Sequence, residues 1–211
     1  MSERRFDAVV FDLSGVVITS AFDAIAELVT GAESREVALA LLLGPYDEDT
    51  DHMWHRVERG EAPIVEWVTW VSAQAEGAGL TIDWAAFGTM MGRLAVHDAV
   101  IERVRALRVE GYRTALCTNN VREGSDAWRD RIPVDDLFDA VVDSSAVGMR
   151  KPDPRIYLHT LDLLGVADPA RAVFLDDHPG NVAGAERAGL AGIVVADPAE
   201  ALVALDLLLA S

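Results

Sequence analysis

Asp12, Ser14, the run Thr118-Asn119-Asn120, Lys151 and the pair Asp176-Asp177 are the residues of this chain whose types and placement could do chemistry. Each lies at the end of a short apolar run or shortly after one. Carboxylates brought together repel one another, and a hard divalent cation relieves that repulsion. Mg²⁺ suits carboxylate and carbonyl oxygens and commonly keeps water and substrate phosphate as its other ligands. A lysine and a hydroxyl beside such an ion make a receptor for a phosphoryl dianion. A carboxylate facing the phosphorus can attack it and form an aspartyl-phosphate. Backbone amides after Asp12 and Thr118 would add donors.

Those residues need elements to position them. Five runs read as buried strands: residues 6–12 (FDAVVFD), 113–118 (RTALCT), 139–143 (DAVVD), 172–176 (AVFLD) and 192–196 (GIVVA). Each is nearly all apolar without clean alternation, as expected of strands covered on both faces. Helical patterns separate the later runs. AVIERVRALRVEG stops at Gly111, and DPRIYLHTLDLLG opens with Pro154 near its first turn and stops at Gly165. NVAGAERAG ends at Gly189, and an amphipathic tail begins at Pro198. Strands alternating with helices imply an α/β fold, a Rossmann-like parallel sheet of about five strands with helices on both faces. In such sheets ligands bind beyond the carboxyl ends of the strands, where the singled-out residues fall.

The first connection breaks the rhythm. Between Val17 and about Ala95 lie helical patterns and no convincing strand, and a structureless loop of that length is implausible. Residues 18–95 therefore read as an inserted helical subdomain of about four helices. Residues 1–17 and 96–211 form the α/β core. Four of the five tryptophans, Trp54, Trp67, Trp70 and Trp84, fall in the insertion. They either fill its own core or line an apolar lid.

The 211 residues suffice for one good core, and 51% hydrophobic with 25% charged residues is an ordinary globular balance. A formal charge of −17 argues against a nucleic-acid surface and against anionic membranes. Cys117 is the single cysteine, which excludes an intramolecular disulfide and fits a reducing compartment. The N-terminal apolar run is too short for a signal peptide, and none approaches the roughly 18 residues of a membrane span. The expectation is a cytoplasmic protein, monomer or homodimer, with a small-molecule partner.

Four segments in order, FDLSGVV, CTNN, RKPDPRIY and FLDDHPGN, resemble the four motifs of the haloacid dehalogenase superfamily. The resemblance spans nearly the whole chain. The long insertion is similar to that superfamily's helical cap. HRVERGEAPIVEWV and LCTNN resemble its epoxide-hydrolase-like phosphatase branch. The resemblance implies that Asp12 is nucleophile and metal ligand and that Ser14 offers Mg²⁺ its backbone carbonyl. It implies that Thr118 and Asn119 bind the phosphoryl group, while Lys151 stabilises its charge and helps keep Asp12 ionised. Asp177 would ligate Mg²⁺ directly, with Asp176 a second ligand or an outer partner.

Position 14 departs from the motif. Most phosphatases of the superfamily carry an aspartate there, which protonates the leaving oxygen and then activates water. Such a group typically contributes about 10²–10⁴ in rate, and a serine hydroxyl cannot replace it. The leading reading is a Mg²⁺-dependent phosphatase of a small phosphorylated metabolite, a sugar phosphate by default. Its acid comes from elsewhere, with His178, His52 and His55 as candidates, or its substrates have good leaving groups. A non-catalytic phosphate-binding module is the alternative. A 2-haloacid dehalogenase needs no metal and leaves Asp176-Asp177 poorly explained.

Overall fold

The computed structural model describes residues 4–20 and 22–211, apart from the side chain of Asp23. The first strand, β1 (Ala8–Phe11), is wholly buried. The chain then leaves the sheet through α1 (Phe22–Ile25), β2 (Val29–Thr30), α2 (Arg35–Leu43), α3 (Met53–Glu58), α4 (Ile64–Gly77), β3 (Thr81–Ile82) and α5 (Trp84–Gly92). It returns through α6 (Asp98–Val109) to β4 (Arg113–Thr118), α7 (Ser125–Arg129), α8 (Val134–Leu137), β5 (Ala140–Asp143) and α9 (Ser144–Val147). It ends with α10 (Pro154–Leu164), β6 (Ala172–Asp176), α11 (Pro179–Arg187), β7 (Ala191–Val194) and α12 (Pro198–Leu209).

Five strands form one parallel sheet in the order β5-β4-β1-β6-β7. They are the five apolar runs of the sequence. The chain builds outward from β1 through β4 to β5, then crosses back to β6 on the other side. The switch in direction therefore falls between β1 and β6, where open α/β sheets hold their ligands. Register fixes what meets there. Phe11 pairs with Leu116 on one side and Leu175 on the other, so Asp12 and Asp176, one residue further, emerge at the same level.

Alternate residues of these strands feed two cores. Val9, Phe11, Leu116, Val173 and Leu175 pack against Val100, Val104 and Leu107 of α6 and Leu205 of α12. Val10, Ala115, Cys117, Val142 and Phe174 pack against Ile156, Tyr157 and Leu161 of α10 and Ala185 of α11. Both faces are thus covered, which is why the strands read as unbroken apolar runs. Helix starts follow local chemistry: Asp153 caps α10 and Asp197 caps α12, each followed by proline. Gly165, with φ of 68°, closes α10.

The segment between β1 and α6 has its own core around Leu42, Val57, Trp67 and Val71. Trp67 is fully buried and donates its indole N–H to the Leu42 carbonyl at 2.8 Å. Trp54 and Trp84 pack on it with ring centroids 4.8 and 5.5 Å away. Two features differ from the sequence reading. The segment contains five helices, and β2 pairs antiparallel with β3. Two-residue strands are too short to show a period, so only tertiary contact reveals them.

Paired linkers attach this segment to the sheet. Thr19 N–H donates to the Ala95 carbonyl at 2.8 Å, and His97 N–H to that of Val17 at 2.9 Å. A buried ion pair ties the segment down a second time. Arg150 Nε donates to Glu58 Oε2 at 2.7 Å, and its Nη1 to the Glu48 carbonyl at 2.8 Å. Both side chains are almost fully buried, so removing one strands the other's charge. Arg150→Met is expected to lower stability by about 3–5 kcal/mol. Adding Glu58→Met should restore much of that loss. Urea unfolding of the two single variants and the double checks this; additive losses would show that the charges are not coupled.

Candidate active site

The site is built at the carboxyl edge of β1, β4 and β6. Asp12 follows β1, is buried, and accepts from its neighbour Leu13 N–H at 2.7 Å through Oδ1. Lys151 Nζ lies 2.8 Å from that same oxygen and 2.6 Å from Asp176 Oδ2. The ammonium is completely buried, so it joins the ends of β1 and β6 in a medium of low polarity. Asp177 completes the group. Asp12, Asp176 and Asp177 each offer an oxygen within 4.8 Å of the others.

The three carboxylates are not equivalent. Asp176 accepts from His178 N–H at 2.8 Å, from Lys151, and from Asn181 Nδ2 at 3.1 Å on each oxygen. These four hydrogen bonds from three donor atoms saturate the carboxylate. Asp176 is therefore an anchor for Lys151. Leu13 N–H and Lys151 both take Asp12 Oδ1, and Ser20 Oγ donates to Asp177 Oδ2 at 2.6 Å, so among the described residues no side chain occupies Asp12 Oδ2 or Asp177 Oδ1. Those two oxygens remain open to a ligand.

Electrostatics agree with the geometry. Burial, then the charge of Asp176, drives the Asp12 carboxyl well above its ordinary range, against the pull of Lys151. Burial likewise raises Asp177, to about 6. Lys151 is held protonated because the attraction of Asp12 and Asp176 outweighs its own desolvation. Three carboxylates against one ammonium leave the cluster short of positive charge. A divalent cation with oxygen preference fits that deficit and the open oxygens.

Thr118 ends β4 and is buried at the cavity floor beside Ser14 and Asn119. The Asn119 side chain grips the backbone of Lys151. Its Nδ2 donates to the Lys151 carbonyl at 3.0 Å, and its Oδ1 accepts from the Lys151 N–H at 2.8 Å. It thereby sets the position of the ammonium. Ser14 is half-buried and lies beside Gly15 in the turn after β1. Gly15 has φ of 77°, and a Cβ there would fall 2.1 Å from Asp177 Oδ2. Only glycine lets this turn approach the third carboxylate.

Burial works against the protonated form of each histidine named as a candidate acid. The His55 ring is buried, and Nδ1 accepts from Thr50 N–H at 3.0 Å. Burial and then Arg150 push its pKa down to about 3, so it is neutral. Burial also lowers His52 and His178. His178 packs edge-on against Tyr46 and Phe22, with centroids 4.9 and 5.3 Å away. Sequence reading missed Asn181, Ser20 and Arg150. Asn181 sits inside the quoted FLDDHPGN segment, five residues beyond Asp176, so its spacing was a usable signal. Ser20 and Arg150 carried none.

A lysine-bridged carboxylate cluster at the switch point of a parallel sheet defines an α/β enzyme of acidic, cation-compatible chemistry. The chain belongs to the haloacid dehalogenase-like hydrolases, whose family model matches residues 6–189. It is 32% identical over 215 residues to bifunctional epoxide hydrolase 2 of Rattus norvegicus, covering 93% of this chain and 37% of that one. The chain thus spans little more than a third of that relative. A sesquiterpene phosphatase of Aspergillus oryzae is 28% identical over 91% of both chains. A phosphoglycolate phosphatase of Caulobacter vibrioides is 28% identical over 87% of this chain and 80% of its own. Among solved structures, a HAD-like family hydrolase from Porphyromonas gingivalis superposes with a TM-score of 0.67 at 22% identity, covering 98% and 99% of the two chains. No helix of the described residues is long and apolar enough to cross a membrane.

Gly15→Ala combines a left-handed backbone with a clash on Asp177. It is expected to destabilise the protein by about 1–3 kcal/mol. Adding Asp177→Ala should recover part of the loss by removing the clashing carboxylate. Thermal and urea unfolding of the pair check this; equal losses with and without Asp177 would leave backbone strain as the whole effect.

Proposed function

We propose that the chain is a Mg²⁺-dependent phosphomonoesterase that works through an aspartyl-phosphate on Asp12. One observation carries the reading: Asp12 is held 2.8 Å from a buried lysine while a second carboxylate with an open oxygen, Asp177, stands within 4.8 Å. Asp12, Asp177 and the backbone carbonyl of Ser14 would hold the cation, with Asp176 in the outer position that its four hydrogen bonds favour. Bound there, Mg²⁺ would neutralise the deficit of charge and screen an incoming phosphate dianion from the carboxylates.

The chain's own residues supply the rest. The Asp12 carboxylate attacks phosphorus, the P–O bond to the leaving group breaks, and that oxygen departs with the bonding pair. Lys151 and Thr118 hold the equatorial oxygens as charge redistributes. Asn119 and Asp176 keep Lys151 in place from two sides. Water then attacks the acyl-phosphate and regenerates Asp12. The segment 18–95 acts as a cap that covers the site and selects the leaving group. The phosphatases among the relatives support this reading.

Ser14 makes the first step sensitive to the leaving group, because no carboxylic acid stands where one would protonate the departing oxygen. Hydrolysis of 4-nitrophenyl phosphate should require Mg²⁺, vanish with EDTA, and fall at least about 10³-fold in Asp12→Asn. Equal rates in Asp12→Asn would overturn the nucleophile. A folded protein that binds Mg²⁺ and phosphate but turns nothing over would be a binding module. In a second experiment Ser14→Asp is expected to raise kcat/KM for alkyl phosphates about 10²-fold or more, and for 4-nitrophenyl phosphate far less. The same gain on both would mean that leaving-group protonation is not what position 14 controls.

A further inference from the structure

A half-open cavity of about 370 Å³ lies between the segment that links β1 to α6, the edge of the sheet and α7. That is the size of a small-molecule site. Ser14, Thr118 and Asn119 line it, so it adjoins the strand ends that carry Asp12 and Lys151's partner Asn119. Its walls are apolar, led by Phe22, Ile25, Trp54, Phe87, Met90 and Trp128.

Several of the polar side chains around it are already committed. Tyr46 Oη donates to Glu58 Oε1 at 3.1 Å, and Arg150 takes the other oxygen of Glu58. Glu123 Oε1 accepts from Ile64 N–H at 3.1 Å. Asn119 spends both ends of its amide on Lys151. The buried donors left without a partner on the wall are two indole N–H groups, of Trp54 and Trp128. Two lone donors on the buried wall match a polyol poorly, since each of its hydroxyls also has a proton to give away.

Resting on the phosphatase reading above, we infer that the cavity receives an apolar leaving group, so that the substrate class is a hydrophobic alkyl or aryl phosphate. A sugar phosphate entering the same space would exchange water for apolar wall at each hydroxyl. Each hydroxyl left without partners lowers kcat/KM by about tenfold or more. Each methylene buried in its place raises it about fourfold.

The test uses the Mg²⁺-loaded wild-type chain and 4-alkylphenyl phosphates from methyl to butyl. Their leaving groups are nearly equal in basicity, so the series reports the tail. The expected result is a rise in kcat/KM of about threefold to fourfold per methylene. n-Hexyl phosphate and glucose 6-phosphate, both esters of primary alcohols, are then compared as competitive inhibitors of that turnover. The hexyl ester should bind at least about 100-fold more tightly. Met90→Asp, which puts a charge on the apolar wall, should flatten the series. A flat series in the wild type, or glucose 6-phosphate binding as tightly as the hexyl ester, would overturn the inference and leave the phosphatase intact. No turnover of any aryl phosphate by folded, Mg²⁺-loaded protein would instead remove the phosphatase reading, and this inference with it.

Discussion

A single buried ammonium organises this molecule. Lys151 Nζ touches Asp12 and Asp176, the residues that leave two adjacent strands, and no water-facing surface remains to it. Two carboxylates that close together would repel at the sheet's carboxyl edge, and a bare lysine could not be buried. Each charge is tolerable only because the others are there. Much of the surrounding structure keeps that arrangement in register. The parallel sheet brings Asp12 and Asp176 to one level. Asn119 fixes the Lys151 backbone, and Asn181 occupies the lone pairs of Asp176 that Lys151 does not use. What the cluster still lacks is positive charge, and it lacks it on the side of Asp12 and Asp177, where oxygens stand open.

The junction between the sheet and the segment 18–95 divides its labour. One part is polar and buried: Arg150, next to Lys151 in sequence, reaches into that segment to Glu58 and the Glu48 carbonyl. The residue that sets the ammonium is therefore chained to a residue that anchors the cover. The other part is the apolar cavity, which starts at Ser14 and Thr118 and runs under Phe87 and Met90. A segment held by a buried ion pair and paired linkers can present an apolar wall without collapsing onto the sheet. Glu58 belongs to both, since it lines the cavity while its carboxylate is occupied by Tyr46 and Arg150.

The parallel sheet was legible because strands covered on both faces must be apolar throughout, and helix stops at Gly165 and Gly189 bounded them. The site residues were legible as types at strand ends. Their division of roles was not. That Asp176 is saturated, and that Asn119 spends its amide on a backbone, depends on which atoms face one another across distances of 25 and 32 residues in sequence. Arg150 read as one more loop cation beside Lys151, and only the fold shows that Glu58 lies against it. β2 and β3 escaped for a different reason: two residues cannot carry a periodic signal.

The serine at position 14 and the cavity above it answer to one another. A carboxylate there would line the same cavity as Leu13 and Ile18, one residue from the turn glycine that meets Asp177. It would bring a fourth negative charge to a cluster already short of positive charge, and burial would penalise it further. Serine removes that charge and keeps the turn. The chemical consequence falls on the leaving group, which must depart without a strong acid beside it. On the proposed reading, expelling water from an apolar pocket would strengthen what remains: the attraction of Lys151 and a cation for a reacting phosphate would grow as the surrounding medium became less polar. On this reading the pocket supplies through a dry environment and tail binding part of what position 14 does not supply through proton transfer. Filling the cavity and passing the transition state then become one physical event, since the tail that excludes water is the same group that leaves.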